Sequence, residues 1–95
     1  VPKERVIENY LRERIEAIHG LCIKFMDPGQ RGAPDRLVVL RDKPTYYVEL
    51  KRPHIGELDA AQVRYHERLR ALGQLVWVLW SKEDVDKFML EVELT

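Results

Sequence analysis

The sequence predicts a small α/β domain: a mixed β-sheet flanked by helices, in the order α-β-β-β-α-β-α. Three observations carry that reading. Three segments repeat apolar residues at helical spacing, four short apolar runs have the length of strands, and one helix stands between two of those runs as a crossover. Length sets the scale, since 95 residues hold one domain, residues 1–95, with one modest core.

The first helix is expected from about Lys3 to Ile18, where Val6, Ile7, Tyr10, Leu11, Ile15 and Ile18 recur at helical spacing and Gly20 stops the run. Leu21 to Met26 reads as a short strand. A loop rich in turn residues follows, from Asp27 through Pro28, Gly29 and Gly32 to Pro34. Leu37 to Leu40 and Thr45 to Leu50 are two more strands, close enough in sequence to form a hairpin. Asp59 is a good N-cap for a second helix, and Gln62, three residues on, completes a capping-box pair. Val63, His66, Leu69 and Leu72 follow at helical spacing until Gly73. Leu75 to Trp80 is apolar throughout, as expected of a strand covered on both faces. Ser81 then caps a last helix through Val85, Phe88, Met89 and Val92. The crossover should be right-handed and leave the strands on either side of it parallel.

Composition excludes several classes. With 16 basic and 16 acidic residues the net charge is zero, which argues against coating nucleic acid by bulk electrostatics; any such contact must be a local patch. At 45% hydrophobic with compensated charge, the chain should fold rather than stay disordered. The longest apolar run, Leu75 to Trp80, is too short to cross a bilayer, and no N-terminal segment reads as a signal peptide. The lone Cys22 precludes an intrachain disulfide and fits a reducing, cytoplasmic setting. No membrane partner and no nucleotide cofactor are expected.

The chemistry is expected at the ends of two adjacent strands. Asp35 opens one of them behind Pro34, whose fixed φ helps aim the carboxylate. Glu49 and Lys51 lie near the end of its partner, two residues apart and therefore on one face. Two carboxylates and an ammonium suit a hard divalent cation, Mg²⁺ or Mn²⁺, that keeps open positions for phosphate oxygens. The lysine can orient or deprotonate an attacking water, or offset charge on the phosphorus oxygens. Metal-assisted phosphodiester hydrolysis uses this set of parts.

Gly32-Ala33-Pro34-Asp35-Arg36, followed after thirteen residues by Glu49-Leu50-Lys51, resembles the PD-(D/E)XK nuclease superfamily and more narrowly its VRR-NUC family. The family's ordered elements all have counterparts here: Glu8 on the first helix, Gly32 to Arg36, Glu49 with Lys51, and Gln62 on the next helix. The resemblance implies a restriction-endonuclease-like core and a divalent-metal-dependent DNA endonuclease. It makes Asp35 and Glu49 metal ligands, the backbone carbonyl of Leu50 a candidate third ligand, and Lys51 the catalytic lysine. Gln62 would support the site, and Glu8 would reach the metal directly or through water. Glu4, one turn earlier, is its rival; Glu8 is preferred because it lies at the edge of the apolar stripe.

Without an attached domain, the chain looks like the stand-alone phage or bacterial members. These act on branched DNA, notably four-way Holliday junctions, as homodimers. Lys24, Arg31, Arg36, Arg52 and His54 cluster around the motifs in sequence and are candidate phosphate contacts, which position a duplex without reading its bases. Tyr10, Leu11, Phe88 and Met89 are the surfaces to examine for dimer contacts, with ordinary core the competing reading.

Structural explanations compete for each residue. Asp35 could be a turn residue, Glu49 and Lys51 a solvated strand face, and Gln62 a cap alone. Arg64, Arg68 and Arg70, with Tyr65 and His66 interleaved, read as a wet helix face. Trp77 and Trp80 read as core, and His19 with Cys22 lacks the second pair that a zinc site requires. The competing functions are a catalytically inactive DNA-binding or protein-interaction module on the same fold, and a nuclease for flaps or ends.

Overall fold

In the computed structural model, which describes residues 3–53 and 56–94, three helices and four strands follow the expected order. They are α1 (Glu4–Ala17), β1 (Leu21–Lys24), β2 (Arg36–Val39), β3 (Tyr46–Leu50), α2 (Ala60–Ala71), β4 (Leu75–Leu79) and α3 (Lys82–Leu94). The strands form one sheet in the order β1-β2-β3-β4. Neighbours β1/β2 and β2/β3 are antiparallel, while β3/β4, joined through α2, are parallel. No helix among the described residues is long and apolar enough to cross a membrane.

The core lies between one face of the sheet and the pair α1 and α3. Ile7, Leu11 and Ile15 of α1 meet Val38, Tyr46, Val48, Leu50 and Leu79 of the sheet and Val85, Phe88, Met89 and Val92 of α3. Tyr46 and Trp77 both meet the Phe88 ring edge-to-face, at centroid distances of 5.6 and 5.2 Å. Leu11, Phe88 and Met89 are therefore core and present no surface for a dimer. The Tyr10 hydroxyl is engaged as well, donating to Asp86.

Two expectations need correction. Residues 75–80 are not covered on both faces: β4 is an edge strand with Leu75 42% exposed, and Trp80 already leaves the ladder, its backbone N–H donating to the Asp84 side chain. Nor does α2 present an apolar face, since Val63 and Leu72 are exposed and its one buried residue is His66. At the far edge, β1 is only four residues long and leaves Leu21 and Ile23 exposed.

The loop between β1 and β2 is fixed against α2. Asp27 accepts from the Gly29 backbone and from the Tyr65 hydroxyl, closing a local turn and tying it to the helix. Gly32 has φ +96°, and a Cβ there would stand 2.3 Å from the Ala61 carbonyl oxygen and 2.8 Å from the Gln62 nitrogen. Only glycine permits this approach. It sets the loop that delivers Asp35 flush against the first turn of the helix that carries Gln62.

Candidate active site

The alternation of β3 sorts its side chains. Tyr46, Val48 and Leu50 enter the core, while Tyr47, Glu49 and Lys51 face the other side, toward α2. Arg36 pairs with Val48 across the β2/β3 ladder, and one step further places Asp35 opposite Glu49. Asp35 is held from both sides: its carbonyl accepts from Phe25 N, and its Oδ2 accepts from Leu50 N at 2.8 Å.

Glu49 is 1% exposed. Its Oε2 accepts from Gln62 Nε2 at 3.1 Å and lies 3.8 Å from Lys51 Nζ. The Gln62 oxygen meanwhile accepts from Asp59 N and Asp59 accepts from Gln62 N, so one glutamine closes the helix cap and reaches the site. The alternatives for Gln62 are thus both present in one side chain. Burial, then the Asp35 carboxylate against it, push the Glu49 pKa from 4.5 up to about 9.

His66, one turn beyond Gln62 on α2, is 1% exposed. Its Nε2 stands 3.6 Å from Glu49 Oε1, and neither that oxygen nor either ring nitrogen has a hydrogen-bond partner among the described residues. Burial, followed by the cations Arg70 and Lys51, lowers the His66 pKa. The sequence did carry a signal for this residue. It sits at i+4 from Gln62, on the same helix face, but the arginines around it suggested a solvated surface.

The other predicted residues are distributed unevenly. Glu8 is not turned to Asp35 and Glu49; its Oε2 accepts from Arg36 Nε at 2.7 Å, with Lys24 Nζ 3.9 Å away. Arg36 is 7% exposed, and its Nη1 donates to the Cys22 carbonyl. It is a buried partner of Glu8 and so offers no free phosphate contact. Glu4 is the α1 glutamate whose charge bears on the site: burial and then Asp35 raise its pKa, while Lys51 acts the other way. Among the described residues, no group of three or more His, Cys, Asp or Glu side chains is gathered to hold a metal. Lys24, Arg31 and Arg52 are exposed, and His54 lies outside the described residues. Arg64 and Arg68 line a cleft of about 320 Å³ with Asp27, Gln30 and Tyr65, apart from Asp35 and Glu49.

No family model matches the chain. Over 82 residues the chain is 44% identical to a protein named "Putative nuclease p44", from Acyrthosiphon pisum secondary endosymbiont phage 1, an overlap of 85% of this chain and 86% of that protein. A solved structure described as a VRR_NUC domain superposes with a TM-score of 0.86 at 39% identity, covering 94% of this chain and 96% of that one.

Proposed function

This chain belongs to the VRR-NUC family of nucleases, and on that premise we propose that it is a divalent-metal-dependent DNA endonuclease, hydrolysing phosphodiester bonds at Asp35 and Glu49. One observation carries the reading: a carboxylate 1% exposed, set against a second carboxylate, with a lysine 3.8 Å away. A buried acid set against a half-buried one destabilises a fold when both are ionised, unless a counter-charge is held between them. The donor set fits Mg²⁺ or Mn²⁺, which favour carboxylate and carbonyl oxygens and leave the remaining positions to water and phosphate. Asp35, Glu49 and the Leu50 carbonyl would hold the ion. When bound, it supplies Lewis-acid polarisation of the scissile phosphate.

The chain's own residues do the rest. Lys51 offers its ammonium to the phosphorus oxygens as negative charge builds there. Gln62 fixes Glu49 through Oε2 and acts as a positioning residue. Glu4, near Asp35 and Lys51, takes the place expected of Glu8. The exposed Lys24, Arg31 and Arg52 meet the flanking phosphates.

The finer proposal is selectivity for branched DNA, with four-way junctions cut as paired nicks by a two-fold dimer. One chain carries one site and paired nicks need two, which a closed two-fold pair supplies. Labelled linear, nicked, flap and four-way DNA, incubated with Mg²⁺, Mn²⁺, Ca²⁺ or EDTA, tests both levels. Cleavage with Mg²⁺ or Mn²⁺ and none in EDTA is expected, with the four-way substrate preferred. Full activity in excess EDTA would falsify the metal reading. Sedimentation at micromolar concentration should give twice the chain mass; a monomer that still made paired nicks would refute the dimer.

A further inference from the structure

His66 lies among the arginines of α2 and has no part in the chemistry of Asp35, Glu49 and Lys51 set out above. Yet it is the one buried residue of α2, a helix whose Val63 is exposed. Two orphans face each other there: the buried Glu49 Oε1 and, 3.6 Å away, His66 Nε2. The gap is a few tenths of an ångström beyond a good N–H···O bond, within the adjustment of two side chains. Buried polar atoms without partners are rare enough to need a reason. Here each supplies what the other lacks.

The surroundings of the imidazole favour Nε2 as its donor toward Glu49, whether the ring is neutral or charged. A proton on Nδ1 would be buried with no acceptor among the described residues, whereas a proton on Nε2 points at a carboxylate oxygen. Gln62 and His66, at i and i+4, share one helix face and address the two oxygens of the same carboxylate.

We propose that His66 is a positioning residue, which donates its Nε2–H to Glu49 Oε1 and, with Gln62 on Oε2, clamps that carboxylate in the orientation the reaction needs. This rests on the function proposed above. The role is to fix Glu49 rather than to touch DNA, so it separates from substrate binding.

Two measurements test it. In the metal-free protein above about pH 9, where Glu49 is ionised, ¹⁵N spectra of the His66 ring should show the Nε2–H tautomer; the Nδ1–H tautomer would overturn the proposal. In cleavage assays, His66→Leu, which keeps bulk and loses the donor, should lower kcat by roughly 10- to 100-fold with the KM for DNA unchanged, and should weaken Mn²⁺ affinity measured by titration calorimetry. His66→Gln, whose amide nitrogen reaches the Nε2 position, should recover most of both. Wild-type kcat and Mn²⁺ affinity in His66→Leu would overturn the clamp, as would equal losses in two folded variants. If the wild type cut nothing with any divalent ion, the nuclease reading would fall, and the tautomer would still decide whether His66 holds Glu49.

Discussion

Replacing Glu49 by glutamine should make the metal-free protein more stable while removing its activity. The fold keeps a proton on Glu49 up to about pH 9, whereas the unfolded chain releases it near 4.5. Between those values the folded state binds more protons than the unfolded one, so this group's contribution to stability falls as pH rises. Each pH unit above 4.5 is worth about 1.4 kcal/mol, or roughly 3 kcal/mol by pH 7. Water entering the cleft relieves part of that, leaving a gain of about 1–3 kcal/mol for Glu49→Gln at pH 7. In a domain of this size that raises Tm by about 5–20 °C. The amide keeps an oxygen for Gln62 Nε2, so no packing is lost. Thermal melts followed by circular dichroism from pH 5 to 9 in chelator would measure it. The difference between variant and wild type should widen steadily with pH. Adding Mn²⁺ at a hundredfold excess over its Kd should then stabilise the wild type by about 3 kcal/mol and the variant far less. Parallel pH profiles for the two proteins would refute the assignment of a buried, proton-holding carboxylate.

Lys51→Ala should lose cleavage by roughly 10²-fold or more while DNA affinity in a gel-shift assay holds, because one lysine is central to the reacting phosphate and minor in the wider contact. Glu8→Gln should destabilise the fold by about 2–4 kcal/mol in urea titration, since it strips the nearly buried Arg36 of its counter-charge. Glu4→Gln should leave stability near wild type and lower turnover instead; the opposite pattern in these two variants would reverse the roles given to the α1 glutamates. Gly32→Ala should cost about 2 kcal/mol or more and slow cleavage, because the added methyl meets the Ala61 carbonyl in a backbone conformation that alanine resists.

Element order was legible because each segment agreed with its own period: Ile7, Leu11 and Ile15 at helical spacing, the run from Tyr46 to Leu50 before a capping pair at Asp59 and Gln62. Strand position was not. The apolar run in β4 looked central, but residue type reports what a side chain prefers and leaves open how many neighbours the strand has. Asp35, Glu49 and Lys51 could be read together because the motif spacing places them on one hairpin. The choice between Glu4 and Glu8 could not, since it turns on Arg36, a distant residue whose guanidinium claims Glu8 from another strand. His66 escaped for a related reason: its burial depends on which face of α2 meets Glu49, and charged neighbours in sequence hide that face.

The free edge at β1 has a consequence for handling and for interpretation. Leu21 and Ile23 stand exposed on a strand whose outer backbone faces no neighbour in the sheet among the described residues, the kind of edge along which chains add to one another. What limits such growth here is the brevity of the strand and the charged Lys24 at its end, 70% exposed. Lys24 is thus a guard against aggregation as well as a candidate phosphate contact. An uncharged replacement at this position removes both, so a drop in DNA retention must be read beside light scattering before it is counted as a lost contact. Lys24→Arg, which keeps the charge at the edge, is the matched control.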